Sequence, residues 1–375
     1  MLCKSGRVGA VIVSAGSSSR MGEFKPLLEI SEGETIIGRC IRTLRKGGVK
    51  NIVVVTGRDS NMLEEHLRDG YISFVCNPDY ASTDMYYSAK LGFTKLLESG
   101  TEDKPEQVFF LPGDSPLFTA DTLLRMLEVM YSSKAGIVVP MHNGRTGHPL
   151  LINTNTIPKL LGYEGDMGLK GAMSEYRGII EQVELPDIGI NLDIDTPRDL
   201  HLARLLVQPM EERLSAHCKA VASMALVLSE RLNERGYSLD LQKIELAALL
   251  HDMWRGEKNH AKTGGDELIN AGQPELSEIV RQHMHPDPGE EQRISEITVV
   301  YLADKLLKED IPVKLEERYK SKVKRYAQDP HIRDQVQARL ETAKRVRVIF
   351  EAAMGCTLEE IIKEEYIKKL GNKAD

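Results

Sequence analysis

No stretch of this 375-residue chain approaches the roughly 18 consecutive apolar residues that cross a bilayer, so a membrane protein is not expected. The five cysteines, Cys3, Cys40, Cys76, Cys218 and Cys356, are scattered, with no CxxC pair and no zinc-finger spacing, and a reducing cytoplasm is the expected home. An excess of basic charge is missing too. The formal net charge of -7 and a pI near 5.9 argue against bulk attraction to nucleic acid or anionic membrane. The local basic runs at 42–50 and 320–325 read as solvated helix faces. Internal repeats and low-complexity segments are also lacking. Two phosphate-binding signatures are absent: GxGxxG, which counts against a dinucleotide dehydrogenase, and GxxxxGK[ST], which counts against a P-loop NTPase.

What is present is a folded composition, with 41% hydrophobic and 28% charged residues, on a length that favours two domains. Up to about residue 205, short Val/Ile-rich segments alternate with amphipathic stretches: Val8–Val13, Asn51–Thr56, Ile72–Cys76, Gln107–Leu111 and Ile137–Val139. Val8–Val13 follows Lys4 and Arg7 but is short for a signal peptide, so it reads as the first strand. Alternating β and α segments imply an α/β doubly wound, mostly parallel sheet covered on both faces. Its ligand crevice is expected off the carboxyl ends of the strands, where Ala15-Gly16, Thr56-Gly57 and Pro112-Gly113-Asp114 fall.

After Pro209 the strand signal ends and an all-α bundle is expected, with helices at Glu211–Arg235, Leu241–Met253, Leu276–His283 and Ile294–Lys308. The expected domains are residues 1–205, 210–310 and a charged helical extension at 311–375. That extension, with Val346, Ile349, Phe350, Leu358, Ile361 and Ile362 at helical spacing, is expected to pack on the second core or at an interface, which leaves a homo-oligomer open.

Three elements of the first half carry chemistry. The loop Ser14 to Gly22 follows a strand and precedes a helical segment, so the N–H groups of Ala15, Gly16 and Ser17 can cradle anionic oxygens while Arg20 and Lys25 neutralise a triphosphate. A glycine-containing β-to-α turn by itself is also a common structural device. Asp114, in Pro112-Gly113-Asp114-Ser115-Pro116, stands at a strand end, where a carboxylate can bind Mg²⁺. In Asn191-Leu192-Asp193-Ile194-Asp195-Thr196-Pro197, Asp193 and Asp195 share one side of an extended segment and either can supply a second carboxylate. The same residues can cap the following helix, with Asp195 or Thr196 as N-cap and Pro197 in its first turn. Both roles are expected to operate.

In this order, with Gly147-His148-Pro149 and Gly165-Asp166-Met167-Gly168 between the second and third elements, residues 6–205 resemble the MobA-like nucleotidyltransferases, especially the molybdenum cofactor cytidylyltransferase branch. The resemblance implies attack by a terminal phosphate of an acceptor on the α-phosphate of CTP or another NTP, with release of pyrophosphate. By the same resemblance Gly16, Arg20 and Lys25 hold the triphosphate, Asp114 and Asp193 hold Mg²⁺, and His148 with Asp166 lies near the acceptor. The loop reads SAGSSSRMG where relatives usually have LAAG or LAGG, and Ala81-Ser82-Thr83-Asp84-Met85 replaces their usual Gly-Met pair, which leaves base and acceptor open.

In the second half, His217, His251-Asp252 and Asp304 are spread over three helical stretches, and a bundle can bring two imidazoles and two carboxylates together around a divalent metal. Each alone would be an ordinary core residue. Together, over residues 210–310, they look like the HD-domain metal-dependent phosphohydrolases. That resemblance implies metal-activated water attacking a phosphoester, with His260 and His283 as extra ligands and Asp252 bridging if there are two ions. The donor set accepts Mn²⁺, Fe²⁺, Co²⁺ or Zn²⁺. Arg255 and Lys262 are candidate phosphate contacts, and His285 reads as a loop residue. The whole is expected to be a bifunctional enzyme, a Mg²⁺-dependent cytidylyltransferase joined to a phosphohydrolase. The alternatives are a phosphosugar or other phosphorylated acceptor, and a second half that senses a nucleotide rather than hydrolysing it.

Overall fold

The structure, a computed structural model, describes residues 7–16, 21–68, 71–98, 104–325 and 329–367. It divides into two compact units, Met1–Val207 and Gln208–Asp375. In the first, the chain runs through β1 (Val8–Ser14), β2 (Glu29–Ser31), β3 (Glu34–Thr35), α1 (Ile36–Lys46), β4 (Asn51–Thr56), α2 (Ser60–His66), β5 (Ile72–Cys76), α3 (Met85–Leu97), β6 (Gln107–Pro112) and α4 (Ala120–Ser132). It continues through β7 (Ile137–His142), β8 (Arg145–Thr146), β9 (Leu150–Asn153), α5 (Ile157–Leu161), α6 (Gly168–Ser174), β10 (Ile180–Glu184) and α7 (Pro197–Val207).

The main sheet has the order β10-β7-β9-β6-β1-β4-β5, with β8 paired to β7. The pairs β1–β4, β1–β6, β4–β5 and β7–β10 are parallel, and β9 runs antiparallel between β6 and β7. Alternate residues of β1 serve the two faces. Ala10 and Ile12 pack with Ile37, Leu44 and Met126 of α1 and α4, whereas Val11 and Val13 pack with Ala89 and Phe93 of α3. Because the chain winds outward through β4 and β5 on one side of β1 and returns to β6 on the other, the order reverses between β1 and β6. An α/β sheet opens its ligand crevice at that reversal, above the carboxyl ends.

The contact between α3 and the sheet is tight at Gly92. A methyl group there would meet the side chains of Val11 and Val55. Gly92→Ala is therefore expected to destabilise the first unit by about 1–3 kcal/mol through overpacking, despite the better helix propensity of alanine. Faster amide hydrogen exchange in β1 and β4 is the readout, and unchanged exchange would show that the two valines yield.

The second unit contains α8 (Glu212–Glu234), α9 (Leu241–Leu250), α10 (His260–Asn270), α11 (Pro274–Gln282), α12 (Glu296–Lys305), β11 (Leu307–Lys308), β12 (Ile311–Pro312), α13 (Leu315–Arg325), α14 (Pro330–Met354) and α15 (Leu358–Ile361). α8 packs against α9 and α12. α12 is buried from Thr298 to Lys305 and begins with a capping box made by Ser295 and Thr298. α14 buries Val336, Leu340, Ala343, Val346, Phe350 and Met354 and lies against α8, α12 and α13.

Three features of this unit depart from the sequence expectation, the first being that the helix expected to reach Met253 ends at Leu250. The helix His260–Asn270 has no counterpart in the expected elements, since its polar His260-Ala261-Lys262-Thr263-Gly264-Gly265 start hides its periodicity. The expected helix to Lys308 ends at Lys305, and the chain reverses through the antiparallel ladder β11–β12. The reversal uses Glu309 at φ 58, left-handed backbone that a non-glycine residue rarely adopts.

Candidate active sites

In the first unit, β1 delivers Ala15 and Gly16, and β6 delivers Gly113 and Asp114, to the same end of the sheet. The close approach of the strand ends explains the glycine: a side chain at Gly113 would stand about 3.1 Å from Ser14 Oγ. Ser17 and Arg20 lie outside the described residues. Lys25, whose Nζ reaches Asp114 Oδ2 at 2.6 Å and Asp195 Oδ1 at 3.1 Å, ties the loop to the other two elements. Burial works to lower the Lys25 ammonium, but the two carboxylates prevail and raise it, so it is a fixed cation.

Ile194 is buried beside Ile30 and Ile36, and its N–H donates to the Asp114 carbonyl at 2.9 Å. Asp193 and Asp195 accordingly face away from that core. Asp193 Oδ1 accepts from Ser115 Oγ at 2.5 Å, and loss of water around its inner side, reinforced by Asp114, raises its carboxyl against that hydrogen bond. The helix cap falls to Thr196 and Asp199: Asp199 Oδ2 accepts from the N–H groups of Asp195 and Thr196 and from the Thr196 hydroxyl. Asp195 is thereby left to meet Lys25.

The His148 ring stands edge-on to Phe110 of β6 at 6.2 Å. Burial lowers it, although Asp193 and Asp114 pull the other way, so it is a neutral imidazole. Its Nδ1 is buried without a hydrogen-bond partner among the described residues. Gly147 has backbone so close to Ile190 that no side chain fits. Asp166 is exposed in the turn before α6, and Gly168 holds φ 56 next to Asp84, the N-cap of α3.

In the second unit the ends of α8, α9, α11 and α12 and the start of α10 converge on Asp252. His217 Nε2 and His251 Nε2 each stand 3.7 Å from its Oδ2, while His260 Nε2 and His283 Nε2 stand 3.2 and 3.4 Å from its Oδ1. Two groups of possible ligands result, His217-His251-Asp252 and Asp252-His260-His283, sharing one carboxylate. Backbone carbonyls fix the rings. His217 Nδ1 bonds Glu309 O at 2.6 Å, His251 Nδ1 bonds Ala248 O at 2.7 Å, and His283 Nδ1 bonds Val280 O at 2.7 Å. For His251 and His283 the contact sets the tautomer that leaves Nε2 bare toward Asp252, whereas His217 Nε2 also faces Asp304 Oδ1 at 3.3 Å.

The Nε2 atoms of His251, His260 and His283 are buried with no hydrogen-bond partner among the described residues, a costly arrangement that a divalent cation resolves. Burial pushes His251 down to about 4, with His283 adding to the effect. Burial also lowers His260, whereas on His217 the Asp304 hydrogen bond overrides burial and raises it. Burial works against the Asp252 carboxylate, yet the surrounding imidazoles hold it well below the usual range. The donor set fits a divalent metal.

Asp304 belongs to the edge of this cluster. Its Oδ1 is 3.3 Å from His217 Nε2, but the carboxylate is also held by Lys305 Nζ at 2.5 Å and Arg318 Nη2 at 3.1 Å. Lys262 pairs instead with Asp266 at 2.6 Å, and His285 is exposed. Lys305, Arg318 and the Glu309 carbonyl were invisible in the sequence. No motif marks them, and a left-handed glutamate in a two-residue ladder gives no compositional signal.

Residues 10–181 match the MobA-like NTP transferase domain and residues 214–309 match the HD domain. The chain is 29% identical over 198 residues to the molybdenum cofactor cytidylyltransferase of Escherichia coli (strain K12), covering 52% of this chain and 95% of that protein. It is 32% identical over 122 residues to the bifunctional protein GlmU of Francisella philomiragia subsp. philomiragia, covering 32% of this chain and only 25% of that protein. Among solved structures, Rv0371c from Mycobacterium tuberculosis H37Rv aligns with a TM-score of 0.46 at 20% identity, over 53% of this chain and 98% of its own.

Proposed function

From a chain that carries a MobA-like NTP transferase domain followed by an HD domain, we propose a bifunctional enzyme: a cytidylyltransferase for a molybdopterin-type acceptor, joined to a metal-dependent phosphohydrolase. The observation that carries the first activity is the meeting of Lys25 with Asp114 and Asp195 at the sheet's reversal point. Lys25 Nζ occupies the place of a cation between two carboxylates, a setting of hard oxygen donors that suits Mg²⁺. When bound there, Mg²⁺ supplies charge neutralisation for the phosphates and orients the α-phosphate. Lys25 is then free to turn to the triphosphate oxygens, and the N–H groups at Ala15 and Gly16 take part of the remaining charge. No side chain needs to act as nucleophile, since the acceptor phosphate attacks. Neutral His148 and exposed Asp166 face the acceptor in this reading, and Asp193, kept in place by Ser115, completes the carboxylate set. The preference for CTP and for a pterin phosphate is supported by the E. coli relative, which the match covers almost in full.

For the HD domain the bare Nε2 atoms and the shared Asp252 support two divalent ions, His217 and His251 serving one and His260 and His283 the other. Such ions activate water and polarise a phosphoryl oxygen. The chain's own residues aim the imidazoles: backbone carbonyls hold His217, His251 and His283 through Nδ1, and burial keeps His251 and His260 neutral.

Pyrophosphate release should be measured with CTP, GTP, ATP and UTP, Mg²⁺ and molybdopterin. Release with CTP that depends on the acceptor is the expected result. Release dependent on a phosphosugar or phosphoalcohol would replace the acceptor class, and none with any base would overturn the transferase reading.

A further inference from the structure

Arg318 lies beyond the residues that match the HD domain, yet it reaches that domain's cluster. α13 brings its Nη2 to 3.1 Å from Asp304 Oδ1, the oxygen that stands 3.3 Å from His217 Nε2. The other oxygen of Asp304 is already neutralised by Lys305 Nζ at 2.5 Å, and Lys305 is pinned by a second bond to the His283 carbonyl at 3.2 Å. One carboxylate therefore has two cations, of which the second is not needed for charge balance. Among the described residues the hydrogen bonding of Arg318 ends at Asp304, so most of its five N–H donors are uncommitted. The side chain is 17% exposed, which places it between the buried cluster and solvent. A second guanidinium, Arg255 at 60% exposure, stands 3.3 Å from Asp252 Oδ2. Each carboxylate of the cluster thus has an arginine on it.

We propose that Arg318 is a phosphate-binding residue of the HD-domain site, supplied by the C-terminal helices, and that its free N–H edge takes oxygens of the substrate's phosphoryl group. Guanidinium forks bind phosphate in a bidentate manner, which a lysine cannot reproduce. The substrate class rests on the phosphohydrolase reading; the anion-binding role does not. On this view α13 is part of the site, and Arg318 orients Asp304 until an oxyanion arrives. The competing role is a tether, in which Arg318 only fastens α13 to α12.

The test uses full-length Mn²⁺-loaded protein and inorganic phosphate titrated by calorimetry into wild type, Arg318→Lys and Arg318→Ala. Arg318→Ala is expected to weaken phosphate by about tenfold or more, with partial recovery in Arg318→Lys. Mn²⁺ affinity, read by electron paramagnetic resonance, is expected to stay within about threefold of wild type, below the loss that follows removal of a ligand-orienting group. With a phosphoester the wild type hydrolyses, KM should rise more than kcat falls. Phosphate affinity unchanged in Arg318→Ala, or phosphate, metal and melting temperature all falling together, would overturn the proposal. If the wild type hydrolyses no phosphoester, the phosphohydrolase reading fails alone, and the phosphate titration still decides Arg318.

Discussion

Asp114→Ala is expected to slow nucleotidyl transfer by on the order of 10³-fold, the loss typical of removing a preorganised charge-stabilising group. The reason is the position of the carboxylate. It follows β6 at the reversal of strand order, receives Lys25 at 2.6 Å, and shares that cation with Asp195. Removing it takes away the proposed Mg²⁺ ligand and also leaves Lys25 paired only to Asp195, so the triphosphate loses an oriented cation as well. Asp114→Asn should fare little better, because it keeps the shape and discards the charge. Asp195→Ala is expected to do less damage, since Asp195 is half exposed and contacts Lys25 at the longer distance. The measurement is single-turnover pyrophosphate release at saturating CTP and Mg²⁺. A rate within about tenfold of wild type in Asp114→Ala would make the cluster a structural ion pair rather than a catalytic one.

The contrast between the two sites shows what a sequence can reveal. β1 and β4 were readable almost to the residue because a strand buried on both faces must be a continuous Val/Ile run, whereas β5, at the edge of the sheet and only partly buried, was marked by its short apolar segment Ile72–Cys76. β9 escaped because an antiparallel insertion in a parallel sheet leaves no mark in four residues, Leu150–Asn153. Asp114 and Asp195 were legible as carboxylates at segment ends, but not the division of labour in which Thr196 and Asp199 cap α7 and Asp195 turns to Lys25. In the second unit the histidines were visible as residue types without periodic meaning. That His217 leans on the carbonyl of Glu309, or that Arg318 reaches Asp304, depends on a backbone reversal and a helix packing that no local pattern encodes.

Asp252→Ala is expected to abolish metal binding at both halves of the HD-domain cluster, a loss of more than about 100-fold in affinity, since ligand removal exceeds the effect of losing an outer-shell partner. Asp252 is the only residue common to the two ligand groups found among the described residues. Its two oxygens face different pairs: Oδ2 faces His217 and His251, and Oδ1 faces His260 and His283. Replacing His260 should therefore behave differently. His260→Ala is expected to remove one ion and spare the other, because His217, His251 and Asp252 remain complete. Elemental analysis after equilibration with Mn²⁺ gives the stoichiometry directly: two ions per chain in wild type, one in His260→Ala and none in Asp252→Ala. Loss of both ions in His260→Ala would mean that the two ions bind only together, and one ion per wild-type chain would mean a single metal shared by the four imidazoles. The fold should survive in each variant at neutral pH, because His251, pushed down to about 4 by burial, stays neutral without its carboxylate partner and leaves no new buried charge. Chelation of the wild type should likewise remove the ions without unfolding, since the Nδ1 contacts to Glu309, Ala248 and Val280 hold the rings where they are. A cluster whose geometry is set by backbone carbonyls in this way is built before the metal arrives, in contrast to small domains that fold only around their ion.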